Sequence, residues 1–298
     1  MSVTPLVVDL KRGSLDDGTG IRSVLFFKGC PLRCVWCHNP EAISPKAQLQ
    51  RNPEACVGCR TCEQVCPRGV ARSGAHPEER SDCLLCGLCA RRCPAGARRL
   101  VGQALPVDEV VAQLLEDEPF YRRSGGGVTL SGGEPTQYPV FSGQIAAAMR
   151  GHGVHVLLET CGHFAWRAFA EHLLPHLDTV YFDLKLADPD AHRTYCGRDN
   201  ALIHENLQRL VEDARVELLP RVPLIPGITD SQENLKALGE LIRRVGLERV
   251  SLMPYNPLWL SKRRGLGMEL PYEHAEWMSA ETVAACEDAM RGLGLTAG

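Results

Sequence analysis

Short apolar runs of strand length recur along the chain, and stretches with helical spacing follow most of them. Such runs, rich in β-branched and aromatic residues, begin near residues 23, 128, 154, 179, 215 and 249. Strands that alternate with helices predict an α/β fold around a parallel sheet. About six units, against eight in a complete TIM barrel, predict a partial (six-unit) βα TIM-type barrel. Its open side would suit a macromolecular substrate.

Further segments complete this pattern. Residues 3–10 predict a short edge strand before the first unit. Apolar residues at helical spacing predict an amphipathic helix over 107–118 and a second, capped helix over 231–245. Residues 280–292 predict a closing helix, and residues 259–277 predict a loop that reaches over the mouth of the barrel.

Composition excludes several classes of function. The chain has 298 residues and is 44% hydrophobic, which is enough for one large α/β domain with a small insert. A formal net charge of −3 argues against a broad nucleic-acid surface. No apolar run approaches the ~20 residues of a membrane span, and the first residues lack the pattern of a signal peptide. We therefore expect a cytoplasmic protein without nucleic-acid or membrane partners.

Eleven of the 14 cysteines occur in tight groups, which is typical of metal binding rather than of disulfides. The first group has the spacing C-x3-C-x2-C and contains Cys30, Cys34 and Cys37. A 4Fe–4S cluster normally takes four cysteines, so three thiolates leave one iron open to a small molecule. The alternative is structural zinc, which needs four protein ligands. His38 directly follows Cys37, and reaching the same ion would strain the loop.

Residues 52–99 carry the motif C-x2-C-x2-C-x3-C-P twice. This pair of motifs resembles the bacterial two-cluster ferredoxins, in which the fourth cysteine of each copy ligates the other cluster. A duplicated zinc site is the less favoured alternative, because zinc spacings rarely place four cysteines so close together. The ferredoxin pattern would group Cys56, Cys59, Cys62 and Cys93 at one cluster, and Cys83, Cys86, Cys89 and Cys66 at the other.

These observations divide the chain into three parts. Residues 1–51 would start the barrel and contain the first cysteine loop, 52–100 would form a ferredoxin-like 4Fe–4S insert, and 101–298 would complete the barrel.

Polar residues directly follow several predicted strands. Ser-Gly-Gly-Glu-Pro at 131–135 follows one strand, and Glu159-Thr160 and Asp183-Leu184-Lys185 end two others. The carboxyl ends of barrel strands meet at one mouth, where chemistry takes place, and glycines permit close backbone approach. The sequence therefore predicts a polar site beside the first cysteine loop.

These motifs together resemble a known family. The C-x3-C-x2-C loop, with the aromatic Trp36 before its last cysteine, looks like the radical S-adenosylmethionine (SAM) superfamily. Residues 17–22 and 26–30 are similar to the glycyl-radical enzyme activating enzymes in particular, of the pyruvate formate-lyase activating enzyme type. The resemblance covers nearly the whole chain.

The resemblance implies a set of residues around SAM. Glu134 would accept hydrogen bonds from the cofactor ammonium, and Lys185 would face its carboxylate as a point charge. Asn256 stands where several members have His; it can donate a hydrogen bond but carries no proton at neutral pH. The complete set is Trp36, Asn39, Gly132, Gly133, Glu134, Glu159, Thr160, Asp183, Lys185, Arg221 and Asn256.

A monovalent cation is also implied beside the cofactor carboxylate. Thr160, Asp183 and the carbonyl of Tyr181 would surround it, together with Glu159, where some members have the shorter Asp.

The same resemblance implies the reaction. A 4Fe–4S cluster on the first cysteine loop would cleave SAM to methionine and a 5′-deoxyadenosyl radical, which would take a hydrogen atom from a glycine of a partner glycyl-radical enzyme. No residue is assigned as acid or base, because the protein positions the cofactor and excludes water. The implied cofactors are three 4Fe–4S clusters, SAM and the cation. An external electron donor such as flavodoxin or ferredoxin is implied, and the insert would either relay its electrons or dock it.

Two other classes of function stay open from the sequence. A radical SAM enzyme acting on a small molecule would share the cluster loop, although the turn around Asp17 and the pattern over 183–206 argue against it. A non-catalytic iron–sulfur electron carrier would leave the polar strand ends without a role. Outside the motifs, Cys161, Cys196 and Cys286 are expected to be buried or free thiols rather than ligands.

Overall fold

A mixed sheet of nine strands organises the part of the chain described by the computed structural model, residues 4–71 and 82–297. The strands of the described chain are β1 (Leu6–Ser14), β2 (Arg22–Phe27), β3 (Gln48–Arg51), β4 (Arg98–Val101), β5 (Gln103–Ala104), β6 (Gly127–Gly132), β7 (His155–Thr160), β8 (Thr179–Asp183), β9 (Glu217–Leu224), β10 (Arg249–Pro254) and β11 (Thr296–Ala297). The order across the large sheet is β11-β10-β9-β8-β7-β6-β2-β1-β5, and β3 pairs with β4 separately.

The helices of these residues lie between and beside the strands. They are α1 (Thr61–Gln64), α2 (Leu88–Arg91), α3 (Val107–Leu115), α4 (Glu118–Ser124), α5 (Pro139–Gly151), α6 (Trp166–His172), α7 (Pro189–Cys196), α8 (Ala201–Asp213), α9 (Gln232–Arg244), α10 (Trp259–Leu266) and α11 (Ala280–Gly292). Within the two described ranges, every helix falls short of the length and apolarity that a bilayer span requires.

Six consecutive strands of the sheet, β2 and β6 to β10, are parallel to their neighbours. They are the six strands predicted from the apolar runs, so the predicted α/β class is confirmed. The short β11 extends the parallel row beyond β10, while β1 runs antiparallel to β2. This arrangement is consistent with a partial barrel, and it brings the carboxyl ends of six strands to one edge.

The core explains why these runs are continuous rather than alternating. Strands β2 and β6 are buried along nearly their whole length, as expected where both faces of a parallel sheet are covered. Helix α9 buries Leu235, Leu238 and Ile242 along one face, and Ser231 caps its first turn by accepting a hydrogen bond from the Asn234 amide. The capped helix predicted over 231–245 is therefore confirmed.

A buried arginine links the amino ends of three parallel strands. The Arg22 guanidinium donates to Thr129 Oγ1 at 2.7 Å and to the Val128 carbonyl at 2.6 Å, and burial lowers its pKa to about 10. It also lies 3.2 Å from His155 Nδ1, which must accept because a guanidinium has only donors. The other ring nitrogen then donates to Thr179 Oγ1 at 3.2 Å. Burial and the charge of Arg22 lower the pKa of His155.

The first strand differs from its prediction. It extends over Leu6–Ser14, beyond the predicted end at residue 10, while the predicted first residue, 3, lies outside the described residues. It is not the edge strand, because β5 pairs with Leu6 and Val7 on its outer side. The second half of the strand was not predicted because it is mostly exposed and carries the charged residues Lys11 and Arg12, so it lacks the apolar pattern of a buried strand.

The helix predicted over 107–118 is two helices. α3 ends at Leu115, and α4 begins at Glu118 with Pro119 in its first turn. Proline is tolerated there because its position needs no amide donor, but it ends a helix that arrives from the amino side.

The loop predicted over 259–277 is wrong for its first part, which forms α10. Trp259, Leu260 and Leu266 are buried on one face of this helix, and Gly267 ends it with a φ of 69°. The closing helix predicted over 280–292 is confirmed as α11.

The region of the predicted insert leaves and rejoins the rest of the chain at one point. β3 and β4 form an antiparallel pair in which Arg51 lies opposite Arg98, and the Asn52 amide donates to the Ala97 carbonyl at 2.9 Å. Helices α1 and α2 lie between these strands in the sequence. Part of the predicted insert, 72–81, lies outside the described residues.

Candidate active site

A cavity of about 320 Å³ opens at the carboxyl ends of the parallel strands. The three thiols of the first cysteine loop line it, together with Asp17, His38 and Cys161. Of the residues expected around SAM, the cavity wall includes Trp36, Asn39, Gly132, Gly133, Glu159, Thr160, Asp183, Lys185, Arg221 and Asn256. Residues distant in sequence thus meet around one space, beside three potential cluster ligands.

The loop that carries the three cysteines is fixed by buried polar contacts. It starts after β2, where the Gly29 and Cys30 amides donate to the carbonyls of Ala42 and Ile43. Lys28 is fully buried and donates to the carbonyls of Glu41 and Ser44 and to the Gln48 side chain, at 2.6, 3.0 and 2.9 Å. Burial lowers the pKa of this lysine to about 8. The lysine thereby holds the chain after the loop against the end of β2.

Helix α10, absent from the sequence prediction, supports the same loop from the other side. Lys262 Nζ donates to the His38 carbonyl at 3.0 Å and to Asn39 Oδ1 at 3.1 Å. Arg263, buried in spite of its charge, donates to the Val35 carbonyl at 3.1 Å. These hydrogen bonds reach residues within two positions of Cys37 on either side. Helix α10 therefore restrains the backbone that presents the thiols.

The two glycines at the end of β6 allow another part of the chain to approach closely. The Gly133 amide donates to the Phe27 carbonyl, and the following amide donates to the Gly29 carbonyl, both at 2.8 Å. A Cβ on Gly133 would lie 2.3 Å from the Gly29 oxygen, and one on Gly132 would lie 2.3 Å from the Phe27 nitrogen. Side chains at either position would push the cysteine loop away.

Glu134 lies elsewhere than expected. Its carboxylate is fully buried and accepts hydrogen bonds from the Thr160 hydroxyl at 2.9 Å and the Cys161 amide at 2.7 Å. The amide and hydroxyl of Thr136 also donate to it. With these partners in place the carboxylate does not face the cavity; instead it joins the loop after β6 to the end of β7.

Charged side chains from neighbouring strands form a network across the cavity wall. The Arg221 guanidinium of β9 bridges Glu159 of β7 and Asp183 of β8, reaching Asp183 Oδ1 at 2.9 Å. Lys185 Nζ contacts the other Asp183 oxygen at 3.0 Å, and the Ser131 hydroxyl donates to Glu159 Oε2. The side chains of Arg221, Glu159 and Lys185 are only 9%, 12% and 10% exposed.

The network changes the acidities of its members. Burial alone would raise the pKa of the Asp183 carboxyl, but the charges of Arg221 and Lys185 outweigh burial and lower that pKa. Burial alone would lower the pKa of the Lys185 ammonium, but nearby negative charge, mainly that of Asp183, outweighs burial and raises that pKa. Asp183 and Lys185 therefore keep their charges at neutral pH. Together with Arg221, Lys185 places two positively charged side chains in the cavity wall, close to the thiols.

This network engages the carboxylates that the resemblance assigned to a monovalent cation. Each oxygen of Glu159 and Asp183 already accepts a hydrogen bond from Arg221, Lys185 or Ser131. The hydroxyl of Thr160 is engaged by Glu134. The Arg221 guanidinium thus supplies positive charge beside the carboxylates at which the resemblance implied a metal ion.

Three residues beside the first cysteine loop were not anticipated. Cys161 and Cys196 lie against the cysteine loop, although only their burial was expected. Burial and the neighbouring charges of Lys262 and Lys185 lower the pKa of His38 to about 4, and its Nε2 has no partner among the described residues. The sequence offered one signal that these residues belong to the site: His38 directly follows Cys37, and Cys161 directly follows Thr160.

The thiols of the first loop have the chemistry that an iron–sulfur cluster needs. A hydrogen bond from Cys196, helped by the charge of Lys185, outweighs burial and lowers the pKa of Cys34, whereas burial raises the pKa of Cys37. Apolar side chains, among them Leu32 and Ile225, pack around the loop. Soft sulfur donors in a shielded pocket fit a cluster, so the donor set and its surroundings agree with the implied cofactor.

The eight cysteines of the predicted insert fall into two sets. Cys56, Cys59, Cys62 and Cys93 line one small cavity, and Cys66, Cys83, Cys86 and Cys89 line another. In the described ranges, no three His, Cys, Asp or Glu side chains are gathered so as to hold a single metal ion.

The two motif copies also share an unusual backbone. Positive φ angles occur at equivalent positions, at Gly58 and Leu85 (70° and 51°) and at Arg60 and Gly87 (57° and 70°). Non-glycine residues adopt such angles rarely, and their repetition in both copies shows that the backbone follows one path twice.

Comparisons with known proteins agree with this geometry. Residues 24–239 match the Radical SAM superfamily. A benzylsuccinate synthase activating enzyme of Thauera aromatica is 36% identical, over 99% of this chain and 92% of the relative. A choline trimethylamine-lyase activating enzyme of Oleidesulfovibrio alaskensis is 36% identical, over 94% of both chains. A trans-4-hydroxy-L-proline dehydratase activating enzyme of Clostridioides difficile is 39% identical, over 85% of both.

A solved structure shares the fold. A radical SAM methyltransferase from Sphaerobacter thermophilus superposes with a TM-score of 0.53 at 17% identity, over 99% of this chain and 77% of that one. Fold and site thus define a radical SAM enzyme, and the chain belongs to that superfamily. Within it, the near-full-length relatives show that the chain is one of the activating enzymes of glycyl-radical enzymes.

Proposed function

We propose that this chain binds SAM in the cavity at the strand ends, cleaves it reductively, and takes a hydrogen atom from a glycine of a partner glycyl-radical enzyme. The observation that carries the proposal is the cavity itself, where three thiols face a charged network from neighbouring strands. When bound, a reduced 4Fe–4S cluster supplies the electron for the cleavage. The protein supplies orientation and a shielded space.

The charged wall suits an amino acid ligand. Lys185 and Arg221 would attract the carboxylate of SAM, and Asp183, which holds both cations, would fix their positions. Trp36, Asn39 and Asn256 would complete the wall, and Gly132 and Gly133 would keep the cysteine loop close to it. Glu134 would act indirectly, by fixing the end of β7. The proposal includes no monovalent cation.

The insert would hold two further 4Fe–4S clusters in the crossed ferredoxin pattern. The division of its cysteines between two cavities supports this grouping. Backbone nests formed by residues with positive φ, such as those repeated here, are typical of iron–sulfur sites because their amides point at the cluster. Cys59 and Cys86 are exposed, which would let a flavodoxin or ferredoxin donate electrons from solvent. Such chemistry would take place in the reducing cytoplasm.

Formation of 5′-deoxyadenosine tests the central step. The protein is purified anaerobically, reconstituted with iron and sulfide, reduced, and mixed with SAM. We expect product from the parent and from Cys286→Ala, a variant in a separate part of the core, but none from Cys34→Ala. Fully loaded, reduced parent that yields no product, even with a partner enzyme present, would favour the electron carrier.

The partner class is tested with enzymes named by the relatives. Benzylsuccinate synthase, choline trimethylamine-lyase and trans-4-hydroxy-L-proline dehydratase, each purified without its radical, form the panel. Appearance of a glycyl radical signal in electron paramagnetic resonance (EPR) would support activation. Cleavage of SAM with transfer of hydrogen to a small molecule, and no radical on any panel member, would favour the small-molecule enzyme.

Iron content tests the cluster count. Three four-iron clusters correspond to about 12 iron atoms per chain, and a variant lacking Cys30, Cys34 and Cys37 should keep about eight. A parent with about four iron atoms after full reconstitution would refute the two insert clusters.

A further inference from the structure

Two cysteines outside the motifs contact ligand cysteines of the candidate active site. Cys161 follows β7, and Cys196 is the last residue of α7. Cys161 lines the cavity beside Cys30 and Cys34, and both Cys161 and Cys196 belong to the buried cluster that contains Cys34 and against which Cys30 packs. Both residues are buried, with Cys196 completely inaccessible. The remaining cysteine, Cys286, packs in a different hydrophobic cluster.

The backbone, rather than side-chain freedom alone, brings Cys161 to this place. Its amide donates to Glu134 Oε2 at 2.7 Å, and Glu134 Oε1 accepts from the preceding Thr160 hydroxyl at 2.9 Å. Two hydrogen bonds to one buried carboxylate fix the turn that carries the thiol. The unexpected position of Glu134 is thereby explained.

Cys196 is held against the cysteine loop in a similar way. Its carbonyl accepts from the Arg33 amide at 2.8 Å, and the Tyr195 carbonyl accepts from the Val35 amide at 3.0 Å. These amides belong to the residues immediately before and after Cys34. Backbone contacts on both sides of Cys34 therefore hold the end of α7, which carries Cys196, beside this ligand cysteine.

The chemistry of ligation decides which sulfur donates. A cysteine that binds iron does so as a thiolate and has no proton to give. The donors in both pairs must then be Cys161 and Cys196, and the acceptors must be the ligand sulfurs.

We propose that Cys161 and Cys196 donate S–H···S hydrogen bonds to the cluster ligands Cys30 and Cys34 and thereby raise the reduction potential of that cluster. Hydrogen bonds to ligand sulfurs are among the features that set cluster potentials. A donor stabilises the reduced cluster more, because that form carries one more negative charge. The cluster takes one electron from an external reductant, both protons stay on their thiols, and no bond breaks. The inference deepens the proposed function and rests on it.

The test is an anaerobic redox titration of the reconstituted full chain without SAM, followed by EPR. Cys161→Ala, Cys196→Ala and the double variant are compared with the parent and with Cys286→Ala. Spectra of Cys34→Ala, which lacks the cluster in question, identify the contribution of the insert. We expect the single variants to be harder to reduce by up to tenfold in the equilibrium constant, about 59 mV for one electron, and the double variant by more. Serine in place of alanine should restore part of the shift, because a hydroxyl also donates.

The outcomes are separable. Alanine variants with full iron content and the parental potential would overturn the inference. If an alanine variant fails to assemble its cluster, the parent in D₂O decides: exchangeable deuterons coupled to the reduced cluster in pulsed EPR are expected, and their absence would also overturn it. A parent that shows the potential shifts but never cleaves SAM would instead refute the proposed function.

Discussion

Replacing Gly133 by alanine should displace the cysteine loop. The new Cβ would lie 2.3 Å from the Gly29 carbonyl oxygen and 2.7 Å from the Ala42 oxygen, whereas ordinary contacts begin at 3.4 Å. Both neighbours are backbone atoms, so relief requires a main-chain shift of about 1 Å at the residue before Cys30. Forced packing of this kind costs about 1–3 kcal/mol. At roughly 2–4 °C per kcal/mol, Tm should fall by several degrees.

The assay combines Tm, iron content and 5′-deoxyadenosine formation. We expect Gly133→Ala to lose most of its SAM cleavage while keeping the iron of the insert, since the shift is confined to the first cysteine loop. Gly151→Ala is the matched control: no atom lies within 4 Å of its new Cβ, and alanine favours the end of α5. Parental Tm and parental SAM cleavage in Gly133→Ala would refute the steric reasoning.

Three further substitutions test the charged network around Arg221, the buried amide of Asn206 and the protonation of His155. Arg221→Gln should cost about 3–5 kcal/mol of unfolding free energy and at least about tenfold in SAM cleavage, because Glu159 and Asp183, both partly buried, lose the cation that they share. Arg215→Gln, in an exposed pair, should cost under about 1 kcal/mol. Equal losses of the two variants in urea titrations would contradict this. Asn206→Ala should cost about 2–4 kcal/mol, measured likewise, because its fully buried amide donates to two carbonyls at 2.9 and 2.8 Å; a loss under about 0.5 kcal/mol would contradict this. The folded state keeps His155 neutral while the unfolded chain binds a proton below about pH 6.5, so its contribution to stability is lost as pH falls below that value. His155→Gln should therefore lose less unfolding free energy than the parent between about pH 7 and 5, whereas the control His152→Gln should behave like the parent. Identical slopes of unfolding free energy against pH in His155→Gln and the parent would show that the His155 ring is not held neutral.

The strands were predictable because burial on both faces leaves a local signature. β2 and β6 are continuous apolar runs, and no long-range information is needed to recognise them. Helix α10 was not predictable for the opposite reason. Its buried face includes Arg263, whose charge is satisfied by carbonyls of the cysteine loop and of Glu269, so a contacting residue looks polar in the sequence.

The site follows the same division. Motif spacing identified the thiols and the strand ends, because each is a local pattern. The contacts of Glu134, of Arg221 and of Cys196 depend on which strands and loops become neighbours, and nothing close to them in the sequence carries that information. Arg221 and Glu159 are brought together by strands β9 and β7, on either side of β8, although more than fifty residues separate them.

The antiparallel pairing of β3 with β4 has a consequence for the rate of folding. β2 and β6 are adjacent in the sheet, yet the whole chain from 28 to 126 must form a loop before they pair. If β3 has already paired with β4, residues 52–97 no longer belong to that loop and its effective length is roughly halved, which lowers the cost of this later closure by about 0.6 kcal/mol. Pairing of the two strands should then be about threefold faster. A variant with Leu49→Pro, which weakens the pairing of β3 with β4, should refold more slowly by a similar factor. An unchanged refolding rate would show that β2 and β6 pair without waiting for β3 and β4.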